Sequence, residues 1–170
     1  KGALPALPGE KPNIKDWEDH LTTAFPEVRL KRYMEMRGAD GGPWRKLCAL
    51  PALWAGLLYD DTVLDAAWDL VRDWTMEERL KLRVDAPRLG FKAEIRGRSV
   101  QSIALEVLEM ASKGLTVRNR LGSSGENETG FLAPLVACAT QGLTPAEKKL
   151  ELYHGRWNGS VDPVFTEAAY

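Results

Sequence analysis

Between positions 29 and 46 the chain places six cations, Arg29, Lys31, Arg32, Arg37, Arg45 and Lys46, against two acids, Glu35 and Asp40. That stretch is +4 by count while the whole chain is −1, so the remainder carries −5. A basic patch in a near-neutral protein suits a small anion better than a polyanion, whose phosphate backbone calls for a net basic surface. Nucleic acid is therefore not an expected partner. Within the patch, residues 28 to 37 alternate with period two. Val28, Leu30, Met34 and Met36 fall on one side of an extended strand, and Arg29, Lys31, Tyr33, Glu35 and Arg37 on the other, with only Arg32 breaking the apolar side. Glu35 thus sits between Tyr33 and Arg37 on one face, a carboxylate able to hold Mg2+ beside a guanidinium able to hold phosphate or carboxylate. The same alternation describes the solvated face of an edge strand, and pattern alone leaves both readings open.

Other residues with chemical potential carry bland readings. His20 follows Glu18 and Asp19 ahead of a short apolar stretch and reads as a surface or capping residue, while His154 at a helix end complements the dipole. The loop GSSGENETG, 122 to 130, lacks the GK[ST] ending of a phosphate-binding loop. Cys48 and Cys138 form neither a CxxC nor a metal spacing, which argues against a disulfide scaffold or structural zinc and points to buried thiols in a reducing compartment. Two sequons, at Asn127 and Asn158, have meaning only in a secreted chain, and nothing else suggests secretion. The six Trp mostly fall on helical stripes, where core packing is their ordinary role.

The elements that must position the patch follow from periodicity. GADGG, 38 to 42, is a turn cluster, and Pro43 suits the first position of a helix. Residues 44 to 58 are apolar nearly all round, as in a buried helix, and Pro51 should kink or divide it. From 61 to 74 a stripe of Leu64, Ala67, Trp68, Val71 and Trp74 predicts a second helix facing a core. Thr75 with Glu78 forms a capping box opening a helix that Pro87 closes. Val100, Ile103, Ala104, Val107, Leu108 and Ala111 make the cleanest amphipathic stripe, ending at Gly114 or a few residues later. A short apolar helix follows the 122 to 130 loop, and Thr144, Pro145 and Glu147 start another that runs towards His154.

A length of 170 residues fits one domain, and 44% hydrophobic with 28% charged residues is the composition of a globular chain. The expected organisation is an irregular segment over 1 to 15, a strand region with the active face over 16 to 42, a helical region over 43 to 158, and an irregular tail over 159 to 170. No apolar run reaches the length of a signal peptide or membrane helix, so no membrane partner is expected. The chain begins at Lys1 rather than Met, and we expect it to be part of something longer.

The run DHLTTAFPEVRLKRYMEMRGADGGPWRKLCALPALWAGLLYD, 19 to 60, resembles glutamate-cysteine ligase of the plant and proteobacterial type, as does the ending GSVDPVFTEAAY, 159 to 170. The helices between keep that family's order, and the likeness covers nearly the whole chain, although the family's proteins extend considerably further on the N-terminal side. The resemblance implies the C-terminal portion of a glutamine-synthetase-like ligase, of α+β class, contributing one or two antiparallel strands and then a mainly helical layer. It implies ATP and Mg2+ as cofactors, glutamate, cysteine and ATP as substrates, and the missing N-terminal part as partner. The reaction would be γ-glutamylcysteine formation through a γ-glutamyl phosphate, the first step of glutathione biosynthesis, with the isolated piece inactive. The Glu-x-Arg pattern also looks like a strand of more distant bacterial ligases, in which that Glu binds Mg2+ and that Arg faces the transferred phosphoryl group. By resemblance Glu35 is assigned to metal, Arg37 to catalysis and phosphate, and Arg29, Tyr33 and Asp40 to weaker binding roles.

Two departures bear on regulation and location. Plant members carry a Cys within the LPxLPGE segment where Ala6 stands here, so one of their two regulatory disulfides has no counterpart; Cys48 takes the place of another disulfide-forming Cys whose partner lies in the N-terminal part. The segment RLGSSGENETGFL looks more like bacterial members, which suggests a bacterial cytoplasm, with a chloroplast as alternative. The rival to the ligase is a stand-alone helical binding module that docks an acidic partner on the 29 to 46 patch.

Overall fold

The computed structural model describes residues 8–169. Ala6 and its LPALPGE context therefore lie outside or at the edge of the described residues. The chain divides into two compact units, 1–40 and 41–170.

In the first unit, helix α1 spans Ile14–Leu21. Asn13 caps it: the Asn13 side chain accepts from the Lys15 and Asp16 backbone N–H groups, and Asp16 accepts from the Asn13 N–H at 2.7 Å. Two short strands follow, β1 over Val28–Leu30 and β2 over Met34–Met36, paired antiparallel with Val28 opposite Met36, Arg29 opposite Glu35 and Leu30 opposite Met34. The continuous strand expected over 28 to 37 is thus a hairpin. Its turn holds three residues, closed by the Lys31 N–H donating to the Tyr33 carbonyl at 2.9 Å. An odd-numbered turn preserves parity, so the apolar residues still share one face and the polar residues the other. Arg32, the one break in the apolar alternation, stands in the turn.

The second unit is helical: α2 at Trp44–Leu58, α3 at Asp61–Val71, α4 at Met76–Leu89, α5 at Val100–Arg118, α6 at Ala133–Gln141, α7 at Pro145–His154 and a single turn, α8, at Val164–Glu167. Strands β3 (Glu94–Ile95) and β4 (Arg98–Ser99) form a second hairpin just ahead of α5. The mixed α+β class and the helical layer after the first strands agree with expectation. Both capping boxes are present, Thr75 with Glu78 and Thr144 with Glu147. Pro51 does not divide α2, and Pro87 lies inside α4, which ends instead at Gly90 with φ 55. Pro43 is the N-cap of α2 rather than its first residue. The stripe expected for α3 is displaced: Val63 is buried, whereas Leu64 is partly exposed and Trp68 is 58% exposed.

The core lies where α2 crosses α5, with Ala52, Leu57, Leu108, Ala111 and Leu115 buried there and Val63, Leu132 and Ala139 completing the cluster. The crossing is backbone to backbone. A Cβ on Gly56 would stand 2.3 Å from the Ala111 carbonyl oxygen, and one on Gly114 would stand 1.9 Å from that of Gly56. At the chain's end, buried Trp157 donates from Nε1 to Glu167 at 3.0 Å, and Arg156 pairs with the same carboxylate, so α8 is tied back to the end of α7 where an irregular tail was expected. Cys48 and Cys138 are both free and half-buried, less enclosed than the buried thiols expected.

Two outcomes test this packing. Gly114→Ala should destabilise the chain by about 1 kcal/mol in urea unfolding, since overpacking costs roughly 1–3 kcal/mol against the roughly 1 kcal/mol of helix propensity that Ala brings. Gly130→Ala, which would meet nothing within 4 Å, should stay within about 0.5 kcal/mol of the parent; equal behaviour of the two variants would refute the crossing. Thiol counting on denatured, unreduced chain should give both thiols, Cys48 and Cys138; a monomer showing fewer would reveal a bridge between them.

Candidate functional site

The register of the β1–β2 hairpin brings the sequence candidates together. Arg29 and Glu35 are direct cross-strand partners, and side chains so placed stand about 4.5–5.5 Å apart at Cβ, close enough for an ion pair. Arg29 Nε donates to Glu35 Oε2 at 2.7 Å, and Arg37 Nη1 lies 3.3 Å from Glu35 Oε1. Glu35 is therefore bracketed, one guanidinium on each oxygen. The Arg29 hydrogen bond and charge, with Arg37 adding to both, hold the Glu35 carboxyl below the usual carboxylate range against a smaller opposing effect of desolvation. Side-chain exposures of 19% for Arg29, 27% for Glu35 and 29% for Arg37 make this polar face more enclosed than the apolar one, where Leu30 is 83% exposed.

Arg37 is held in two further ways. Its backbone N–H donates to the Glu27 carbonyl at 2.7 Å, extending the hairpin by one bond, and its guanidinium carbon lies 4.9 Å from the centre of the Phe25 ring. Phe25 is a contact that sequence reading did not find, because nothing in the alternation reaches back across Pro26 to it. Tyr33, by contrast, stands exposed in the turn, and Asp40 is exposed beyond the hairpin, neither one in the bracket. Arg45 and Lys46 open α2 in the second unit, so the two units divide the basic patch between them.

A metal would find one oxygen ligand here. Among the described residues no three His, Cys, Asp or Glu side chains converge. Mg2+ is ordinarily held by one or two carboxylates together with phosphate oxygens and water, so Glu35 fits as one donor of a shared site and falls short of a whole one. Among the described residues no single helix is long and apolar enough to cross a membrane, though the bent pair α2 and α3 reaches that length and composition together.

These features define the class: an α+β chain in which a charge-dense hairpin stands ahead of a helical layer. The model of Glutamate-cysteine ligase family 2 (GCS2) matches residues 5–167, and the chain belongs to that family. It is 54% identical over 169 residues to the chloroplastic glutamate–cysteine ligase of Solanum lycopersicum and 56% identical to that of Arabidopsis thaliana, each alignment covering 99% of this chain and 31% of the relative. Rice (Oryza sativa subsp. japonica) ligase B, also chloroplastic, is 53% identical over 33% of its length. The chain thus spans about a third of these relatives. A match of that extent gives the stand-alone binding module no support.

The electrostatic claim has a direct test. Because its folded pKa is depressed, Glu35 contributes stability that is present above its unfolded value and lost as pH falls through the lower folded one. In NMR titration of the Glu35 carboxyl, Arg29→Met should move the midpoint upward, and further than Arg37→Met does; no movement in either variant would show that the bracket does not form.

Proposed function

We propose that this chain is the C-terminal part of an ATP-dependent glutamate–cysteine ligase, which joins the γ-carboxylate of glutamate to the amine of cysteine in the first step of glutathione biosynthesis. Membership of the ligase family over residues 5–167 carries the proposal. The chemistry asks for two things that the hairpin supplies. The γ-carboxylate attacks the terminal phosphorus of ATP, releasing ADP and leaving a γ-glutamyl phosphate; the cysteine amine then attacks the acyl carbon, phosphate departs, and the amine's proton is lost. Charge develops on the equatorial phosphoryl oxygens in the first step, and preorganised cations aimed at them lower its barrier.

In this reading Arg37 faces the transferred phosphoryl group. Its single contact of 3.3 Å with Glu35 is longer than a tight charge-assisted bond, so it can turn to an arriving anion at small cost. Glu35 offers one oxygen to Mg2+, which when bound neutralises phosphate charge. Arg29 and, from the turn, Tyr33 border the same face. The remaining donors, and the pockets for glutamate and cysteine, belong to the rest of the longer protein. The apolar face of the hairpin supports such a partner: Val28, Leu30 and Met34 are exposed, and a two-stranded hairpin is marginal alone in water. For the compartment, the plant relatives' plastid location supports a chloroplast, while the cytoplasmic reading rests only on the bacterial look of residues 120 to 132.

In the complete enzyme, Arg37→Met should lower ADP formation with glutamate and cysteine by about a hundredfold, the usual loss for one preorganised charge contact, and Glu35→Gln should raise the Mg2+ concentration required. Rates within twofold of the parent for both variants would reject the assignment. Residues 1–170 alone should release no phosphate above background, and turnover at about 1 per second, an ordinary enzyme rate, would show that this piece holds a whole site.

A further inference from the structure

The cluster contains two arginines on one carboxylate, and their surroundings differ. Arg29 is the more enclosed, and its Nε makes the 2.7 Å bond that most lowers the Glu35 pKa. Arg37 touches Glu35 through one nitrogen at 3.3 Å, and among the described residues its other side-chain N–H groups have no hydrogen-bond acceptor. What fixes its head is an aromatic ring. The guanidinium carbon stands 4.9 Å from the centre of Phe25, while the Arg37 N–H bond to the Glu27 carbonyl, at 2.7 Å, anchors the backbone beneath it.

A ring under a guanidinium is an unusual kind of hold. The five N–H donors of arginine lie in the guanidinium plane, so a contact with the π face orients the group and occupies none of them. A carboxylate or carbonyl partner would orient the group by taking donors away. Phe25 is itself 67% exposed and lies outside the buried core cluster, and its ring contact is the Arg37 guanidinium.

From this geometry we propose that Phe25 is a positioning residue for Arg37: it sets the plane of the guanidinium so that the unoccupied donors face an incoming phosphoryl oxygen, while Arg29 serves Glu35. The proposal rests on the ligase reading given above. It adds a division of labour between the two arginines and a residue that touches neither substrate nor metal.

The test uses the complete enzyme. Phe25→Leu should lower kcat about tenfold, between the roughly threefold worth of an exposed cation–π contact and the hundredfold loss from an ångström of misplacement, with KM for cysteine unchanged. Phe25→Trp, which keeps a π face, should restore most of the loss. On an Arg37→Lys background, where no planar group remains to stack, Phe25→Leu should lower kcat by less than twofold more, because the two substitutions remove one interaction. A Phe25→Leu enzyme within twofold of the parent, when Arg37→Met has lost a hundredfold, overturns the positioning role and leaves the ligase reading intact. A tenfold loss that persists on the Arg37→Lys background, or that Phe25→Trp does not relieve, assigns Phe25 to local folding and equally overturns it. An Arg37→Met enzyme at parental rate removes the ligase assignment of Arg37 and this inference with it.

Discussion

The second unit depends on one close approach, the contact of Gly56 with Ala111 and Gly114 where α2 crosses α5. Helices with ordinary side chains at the contact stay 8–10 Å apart, and glycine on both sides lets backbones touch. Once that distance is set, Ala52 and Leu57 of α2 reach Leu108 and Leu115 of α5, and Val63 of α3, Leu132 at the entry to α6 and Ala139 within α6 close the cluster. A buried core this small in side-chain volume, rich in Ala and Gly, draws its stability from proximity, because dispersion falls steeply with the first fraction of an ångström of separation. Both helices are long, 15 and 19 residues, so their crossing organises the greater part of the second unit.

The first unit obeys the opposite logic. Its hairpin encloses its charges and exposes its apolar residues, an inversion of the usual sheet on which one face meets the core and the other meets water. Ile14, Trp17 and Leu21 make an equally exposed stripe on α1 at helical spacing. What organises this unit in isolation is polar: the Asn13 capping box, the three-residue turn, and the two guanidinium groups on Glu35. Such interactions specify geometry well and contribute little net stability where water reaches them. The whole chain spans about a third of its relatives' length, and within it the apolar surface of this unit stays exposed.

Parity explains which parts of this were legible in the sequence. The alternation through 28 to 37 put Arg29 with Glu35 on one face and Val28, Leu30, Met34 and Met36 on the other, as the pairing has them, yet could not distinguish one strand from a hairpin, since a three-residue turn changes the strand direction without changing odd to even. The capping boxes and the α5 stripe were readable because local hydrogen bonding and a 3.6-residue period decide them. The α3 stripe was right at Ala67, which packs against the core, and wrong at Leu64 and Trp68, which looked like core by residue type while the smaller Val63 took the buried place beside a crossing built from glycine and alanine. Helix α1 went unnoticed although Asn13 and Asp16 have capping-box spacing, for its first-turn acid is Asp rather than the more familiar Glu. The β3–β4 hairpin turns on Arg96 and Gly97, both at positive φ, and a non-glycine residue in that region gives no warning in a sequence.

Charge decides what the bracket can hold. Glu35 with Arg29 and Arg37 sums to +1, and Lys31 and Arg32 in the adjoining turn raise the local field further. A bare divalent cation approaching Glu35 meets two guanidinium groups already seated on its oxygens, and the repulsion from each offsets its attraction to the carboxylate. An anion meets attraction from the same groups, and a phosphate bearing its own cation remains an anion. The depressed pKa of Glu35 keeps the carboxylate charged throughout the neutral range, so the cluster does not depend on pH for its form. A carboxylate that is ionised at neutral pH and flanked by two guanidinium groups makes a cluster that repels free cations and attracts anions. That character follows from the cross-strand pairing of Arg29 with Glu35, which the three-residue turn imposes.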